Sequence, residues 1–173
     1  MSFPQRKAVP STWLLTDGHA GNLRQAEALA RALDLVDAQI PALTPTAPWR
    51  WLAPRRLPGA ARAFGPGFAH TLDRSPPPAL AIGCGRQGAL ATRLLRARGA
   101  RAVQILDPRI DPRHWDLVVA PAHDGLRGDN VVPVLGSLNP VDDAWLADAA
   151  DRFPAVLALP RPRVALLVGG PTR

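Results

Sequence analysis

The 173 residues are 47% hydrophobic with a mean hydropathy of -0.03, enough for one domain with a real core, and no apolar run approaches the roughly 20 residues of a membrane span. A single cysteine, Cys84, excludes an internal disulfide framework and fits a reducing cytoplasm. The net charge of +7 is one-sided: residues 1–106 hold 14 basic and 5 acidic side chains and the remainder 7 and 9, which suits an anionic partner such as a nucleotide diphosphate, a lipid headgroup or nucleic acid, or else a solvated arginine face.

Residues 1–11 carry no signal-peptide h-region and are expected to be loosely held. Thr12, Trp13, Leu14, Leu15 and Thr16 read as a first strand that ends at Asp17. Gly18, His19, Ala20, Gly21 and Asn22 then form a glycine-rich strand-to-helix turn. Asn22 is placed as the N-cap of the next helix, with Gln25 as the reciprocal half of a capping box. Leu23, Ala26, Leu29, Ala30 and Leu33 recur at helical spacing, and Ala38, Gln39 and Ile40 make a weak second strand.

Residues 41–78 contain nine of the twenty prolines and cannot be one regular element. Within them, 49–57 mixes Trp49 and Trp51 with Arg50, Arg55 and Arg56, and 60–64 can add a short helical turn. That composition suits a short helix covering a sheet with its arginines in water, or an interfacial contact with lipid; a nucleic-acid surface is not expected.

A βαβ unit follows. Ala79, Leu80, Ala81 and Ile82 form a strand, Gly83-Cys84-Gly85-Arg86-Gln87-Gly88 is a literal G-x-G-x-x-G, and 89–98 is a helix packing through Leu90, Ala91, Leu94 and Leu95. Gly99 stops that helix, 102–106 is the next strand, and Asp107 stands at its end, about 20 residues past the glycines as a dinucleotide fingerprint requires. Two readings stay open: phosphate or NAD contact through Gly83, Gly85, Gly88 and Asp107, or turn geometry alone. Cys84 is either a reactive thiol or a small residue that fits the turn. Arg93, Arg96, Arg98 and Arg101 lie where cations oppose the negative pole of the helix dipole.

Asp107 and Arg109 sit in a proline-stiffened loop at a strand end and are candidates for gripping a polar ligand. After a strand at 116–120, the loop 121–128 presents His123 and Asp124, an acid–base pair or a loop-structuring pair. A strand at 130–135 leads to a helix capped by Asp142 and containing Trp145 and Leu146. Residues 154–162 read as a proline-punctuated linker, and 164–170 as a strand with another glycine turn. The organisation is thus a Rossmann-like α/β domain at 12–153, with a parallel sheet flanked by helices, then the linker, then the start of a second such domain at 163–173. The histidines and the cysteine show no metal-ligand spacing, and neither a G-x-S-x-G elbow nor a P-loop is present. Turns at the ends of the first and third strands would share the carboxyl edge of the sheet, where ligands collect.

The ordered set Trp13 to Asn22 with Gln25, Gly83-Cys84-Gly85-Arg86, Gln104 to Arg109, Ala120 to Asp124 and Gly169-Gly170-Pro171 resembles the bacterial relatives of the plant mitochondrial-fission (elongated-mitochondria) family over nearly the whole chain. The resemblance implies a GT-B glycosyltransferase-like architecture of two Rossmann-like domains, of which this chain matches the N-terminal, acceptor-side one. It implies His19 as the base that deprotonates an acceptor hydroxyl, oriented by Asp17 or Asp107. It implies a ligand surface comprising Asp17, Gly18, Gly21, Asn22, Gly83, Gly85, Arg86, Asp107, Arg109, His123 and Asp124. A nucleotide-sugar donor would be held by the second domain of the same protein, so the present chain alone is expected to be inactive. Gly88 completes a fuller fingerprint than the resemblance requires, which keeps an NAD-dependent nucleotide-sugar epimerase as an alternative, beside a non-catalytic membrane- or protein-interaction module. The expected location is the bacterial cytoplasm, with peripheral contact at the inner membrane through 49–57.

Overall fold

The computed structural model describes residues 11–35, 37–166 and 168; the chain start at 1–10 and the Gly169-Gly170-Pro171 turn lie outside the described residues. Two compact units result, one running to Pro140 and one beginning at Val141.

The first unit is built on five parallel strands, β1 Thr12–Thr16, β2 Leu80–Cys84, β3 Arg101–Ile105, β4 Leu117–Pro121 and β5 Val131–Val134, whose spatial order is their sequence order. Thr16, Cys84 and Ile105 are in register, so the turns after β1, β2 and β3 leave one common edge. The expected strand at 38–40 shrinks to a single bridge, Gln39 to Trp13, held by Leu14 N–H to Gln39 O at 2.8 Å and Gln39 N–H to Thr12 O at 2.9 Å. Pro41 follows it and has no N–H with which to extend the pairing. The chain therefore visits one side of β1 at Gln39 and then crosses to the other at β2. The topological switch point lies between β1 and β2.

Strand alternation distributes the core over two faces. Leu14, Ile82, Cys84 and Ile105 pack with Ala26 and Ala30 of α1 (Ala20–Ala32). Leu15 and Ala81 face Leu90, Ala91, Leu94 and Leu95 of the helix Gly85–Arg96. The proline-rich stretch between them contributes to this second face. It contains α2 (Trp49–Leu52), a 3-10 turn at Ala60–Arg62 and α3 (Gly65–Arg74), a helix that the proline and glycine content concealed. Pro66 occupies the first turn of α3, where its missing N–H costs nothing. Phe68 and Leu72, four apart, bury one side of α3 beside Phe64, whose ring meets that of Phe68 edge-on at 5.1 Å.

The next helix, α4 (Gly85–Arg96), begins four residues earlier than the apolar periodicity indicates, because the glycine turn is its first turn. It packs so closely on β1 that a Cβ on Gly88 would stand 2.2 Å from the Leu15 carbonyl oxygen. Three side chains of α4 hold the proline-rich stretch along its length. Gln87 donates to Arg50 O, Arg86 to Trp51 O and Ala53 O, and Arg93 to Pro54 O. On the far side Trp115, fully buried, donates its indole N–H to Thr92 Oγ1 at 2.8 Å.

In the second unit Asp142 caps α5 (Asp143–Arg152) by accepting from Trp145 N–H at 2.7 Å, as its position before the helical pattern indicates. A short helix, α6 (Pro154–Leu157), lies within the stretch read as a linker. Residues 163–166 form no strand and are exposed.

The contact under Gly88 gives a direct test. A methyl group there must displace strand backbone, so Gly88→Ala should lower stability by about 3 kcal/mol in urea unfolding. Gly67→Ala, in α3 with open space around its Cα, should change it by less than about 1 kcal/mol.

Candidate functional site

The turn after β1 begins with Asp17, continues through Gly18 at φ +82°, and enters α1 at Ala20 with His19 in the N-cap position. Asn22 is therefore not the cap. It is the third residue of the helix, and its side-chain amide turns back to donate to Asp17 Oδ1 at 2.8 Å. Gln25 makes no capping box either, since its Oε1 is buried without a partner. The carboxylate of Asp17 also faces the His19 N–H at 3.4 Å, so it organises the backbone of the turn. The imidazole of His19 is exposed and makes no side-chain cap bond.

The second glycine turn meets the first. Gly85 has φ +81° and lies so close to Asp17 that a Cβ would be 2.4 Å from Oδ2 and 2.7 Å from the Asn22 amide nitrogen. The carboxylate of Asp17 thus sits against the opening residue of α4, the positive pole where a phosphate would be bound in a dinucleotide fold. Close packing calls for glycine at these positions, and at Gly85 the positive φ adds to it. Gly83 lies 2.7 to 2.9 Å, in terms of an added Cβ, from Gln104, Thr92 and the Gly88 carbonyl. Gly21 differs: its φ is unremarkable and nothing lies within 4 Å of an added Cβ, so open space lies beside it. Arg86 directs its Nε and Nη2 to the carbonyls of Trp51 and Ala53.

A second cluster stands at the ends of β3 and β4. Asp107 Oδ1 accepts from Arg109 N–H at 2.7 Å, and its Oδ2 lies 3.4 Å from the Arg109 guanidinium. Arg109 also approaches Asp124 at 4.0 Å, and His123 Nε2 lies 3.8 Å from Asp124, too far for a hydrogen bond. His123 and Arg109 are exposed while the two carboxylates are mostly covered. Leu106 and Arg109 hold φ values of +72° and +60°, uncommon for residues with a Cβ and of the kind that gathers at functional loops. Leu106 is kept there by its N–H bond to Val119 O at 2.8 Å. Neighbouring strands lie about 4.8 Å apart, so the two clusters are centred roughly 10 Å apart along one edge. The structure brings Asp17, Asn22 and Gly85 together and, separately, Asp107, Arg109, His123 and Asp124. Sequence reasoning missed the strap residues Gln87 and Arg93, whose bonds reach backbone carbonyls 37 and 39 positions away. Among the described residues no group of three or more His, Cys, Asp or Glu side chains could hold a metal ion.

Residues 20–173 match the family model described as Mitochondrial fission ELM1, and the chain belongs to that family. No curated protein and no solved structure matches the chain significantly.

Cys84 lies in the turn yet is fully buried, and burial, assisted by the Asp17 carboxylate, pushes its thiol from 9.0 up to about 12. The thiol stays protonated in the folded protein, so iodoacetamide at pH 8 should label it only as fast as the chain opens, with prompt labelling in urea. Below pH 9 both states are neutral and the group does not affect stability. Between pH 9 and 12 the unfolded chain loses the proton first, so stability should fall with rising pH, and Cys84→Ala should flatten that part of the urea-midpoint profile.

Proposed function

We propose that this chain is the acceptor-side domain of a GT-B-like glycosyltransferase, binding a polyhydroxylated acceptor at the carboxyl edge between β1 and β2. The observation that carries the reading is the Asp17 carboxylate seated against Gly85 at the switch point. An anion at that position repels a pyrophosphate but accepts hydrogen bonds from hydroxyl groups. Asp107 and Asp124 add two more carboxylates along the same edge against one guanidinium, Arg109, which again favours hydroxyls over phosphates. Family membership is consistent with the resemblance from which the reading starts.

In this mechanism the exposed His19 takes the proton from an acceptor hydroxyl as that oxygen attacks the anomeric carbon of a nucleotide-sugar. The bond to the nucleotide diphosphate breaks, and the diphosphate leaves with the electron pair. Asp17 and Asn22 fix the turn that carries His19, and the open space beside Gly21 leaves room for the acceptor ring. Donor binding belongs to a second Rossmann-like domain, so this chain by itself should not turn over nucleotide-sugars. The competing NAD-dependent epimerase needs the pole of α4 that Asp17 fills.

A second reading, peripheral contact with an inner-membrane surface from the cytoplasmic side, is favoured by Trp51, 58% exposed with the Arg50 guanidinium stacked 4.3 Å over its ring, and by the exposed Leu57. Among the described residues no helix is long and apolar enough to cross a membrane.

Amide NMR titration separates the chemistries. Millimolar sugars should shift the signals of Gly18, His19 and Gly21, whereas NAD should leave them unmoved; saturable NAD binding that shifts Gly85 and Gly88 would reverse the assignment. With the donor-side domain present, His19→Gln should cut kcat by about 10²- to 10⁴-fold with KM for the donor unchanged. Full turnover in that variant removes His19 from the mechanism.

A further inference from the structure

We propose that the amino edge of the sheet, opposite the edge that carries His19, holds a second binding site: a guanidinium-lined cavity that takes an anionic phosphate group. The cavity measures about 450 Å³ and is lined by Arg56, Arg93, Arg96, Arg101, His114 and Asp116, with the 97–100 connection as its floor. Its placement comes from the topology. In an all-parallel sheet the connections from helix ends to strand starts share one edge, and Arg101 opens β3 while Asp116 immediately precedes β4.

Helix-dipole compensation accounts for Arg93 and Arg96, which lie in the last turn of α4. It does not account for Arg56, which arrives from the proline-rich stretch, or for Arg101, which belongs to β3. Neither of those guanidinium groups has a hydrogen-bond or ion-pair partner among the described residues. The lone carboxylate is already committed: Asp116 accepts from Arg96 at 3.0 Å and from Ala102 N–H at 2.7 Å. Arg98, the remaining cation of that turn, turns away to Asp73 at 3.5 Å. Four fixed positive charges thus converge from three chain segments against one negative charge.

Burial first, and the neighbouring guanidinium groups second, act on two of the lining groups, with Asp111 opposing them at His114. Burial, and then the neighbouring Arg56, lower the affinity of Arg93 for its proton. Burial, and then Arg93, hold the His114 imidazole below its ordinary value. An anion in the cavity relieves this repulsion, and the planar, multidonor guanidinium matches the oxygens of phosphate better than those of a neutral ligand. A volume of this size admits a diphosphate or a phosphate-bearing headgroup, and either source presents the same chemistry.

Inorganic pyrophosphate titrated calorimetrically into the whole chain tests the proposal, beside co-sedimentation with phosphatidylglycerol or phosphatidylcholine vesicles. Pyrophosphate should bind saturably and more weakly as salt rises. Arg56→Gln with Arg101→Gln should weaken it at least tenfold with Tm unchanged, since neither side chain holds the fold; Arg56→Gln alone should show a smaller loss. Arg24→Gln, on α1 and outside the cavity, should leave this affinity intact. Sedimentation with phosphatidylglycerol but not phosphatidylcholine vesicles, competed by pyrophosphate and lost in the double variant, identifies the source as a lipid headgroup. Binding of pyrophosphate without vesicle attachment identifies a soluble phosphate. The proposal is overturned if neither probe binds, or if the double variant binds as tightly as the parent chain.

Discussion

The distance of closest approach between the first turn of α4 and the backbone of β1 sets the geometry of the rest of the first unit. Gly88 lets the helix rest almost on the Leu15 carbonyl, and Gly83 clears the same space from the β2 side. With α4 seated that low, its opening residue Gly85 meets the turn after β1, and the Asp17 carboxylate lies at the helix start. The same seat fixes where the side chains of α4 point. Arg86, Gln87 and Arg93 bind backbone carbonyls of the proline-rich stretch and fasten it to the helix. Close packing thus accounts for the glycines of the fingerprint.

The two edges of the sheet have opposite electrostatic character as a consequence. The carboxyl edge collects Asp17, Asp107 and Asp124 with Arg109 among them, whereas the amino edge collects Arg56, Arg93, Arg96 and Arg101 around Asp116. Part of the basic excess of residues 1–106 is thus placed: several arginines donate to backbone carbonyls, and Arg56 and Arg101 lie at the amino edge. On the two readings proposed above, a polyol and a phosphate would occupy opposite edges without competing.

Local pattern made the five parallel strands legible, since each is a short apolar run bounded by Gly, Pro or Asp and each falls within two residues of its expected place. The carboxyl-edge loops were legible for the same reason, because each begins where such a run stops. Three features resisted. The helix α3 was masked because Pro66 and Gly67 sit in its first turn, where their penalties vanish. The expected strand at 38–40 kept one bridge because Pro41 ends it. Asn22 looked like a cap by type and spacing, yet Asp17 offers its amide a charged acceptor at 2.8 Å, a stronger bond than a neutral cap provides.

The sequence by itself determined the α/β class, the strand positions, the glycine turns and the acidic and imidazole groups beside them, because each is written in contiguous residues under short-range rules. Only the tertiary structure decided that the Asp17 carboxylate lies against the start of α4, that Arg86 braces the proline-rich stretch, and that Arg56 and Arg101 converge on one cavity. Those outcomes join residues roughly 30 to 70 positions apart, and they depend on helix seating and side-chain direction, quantities that no local periodicity encodes.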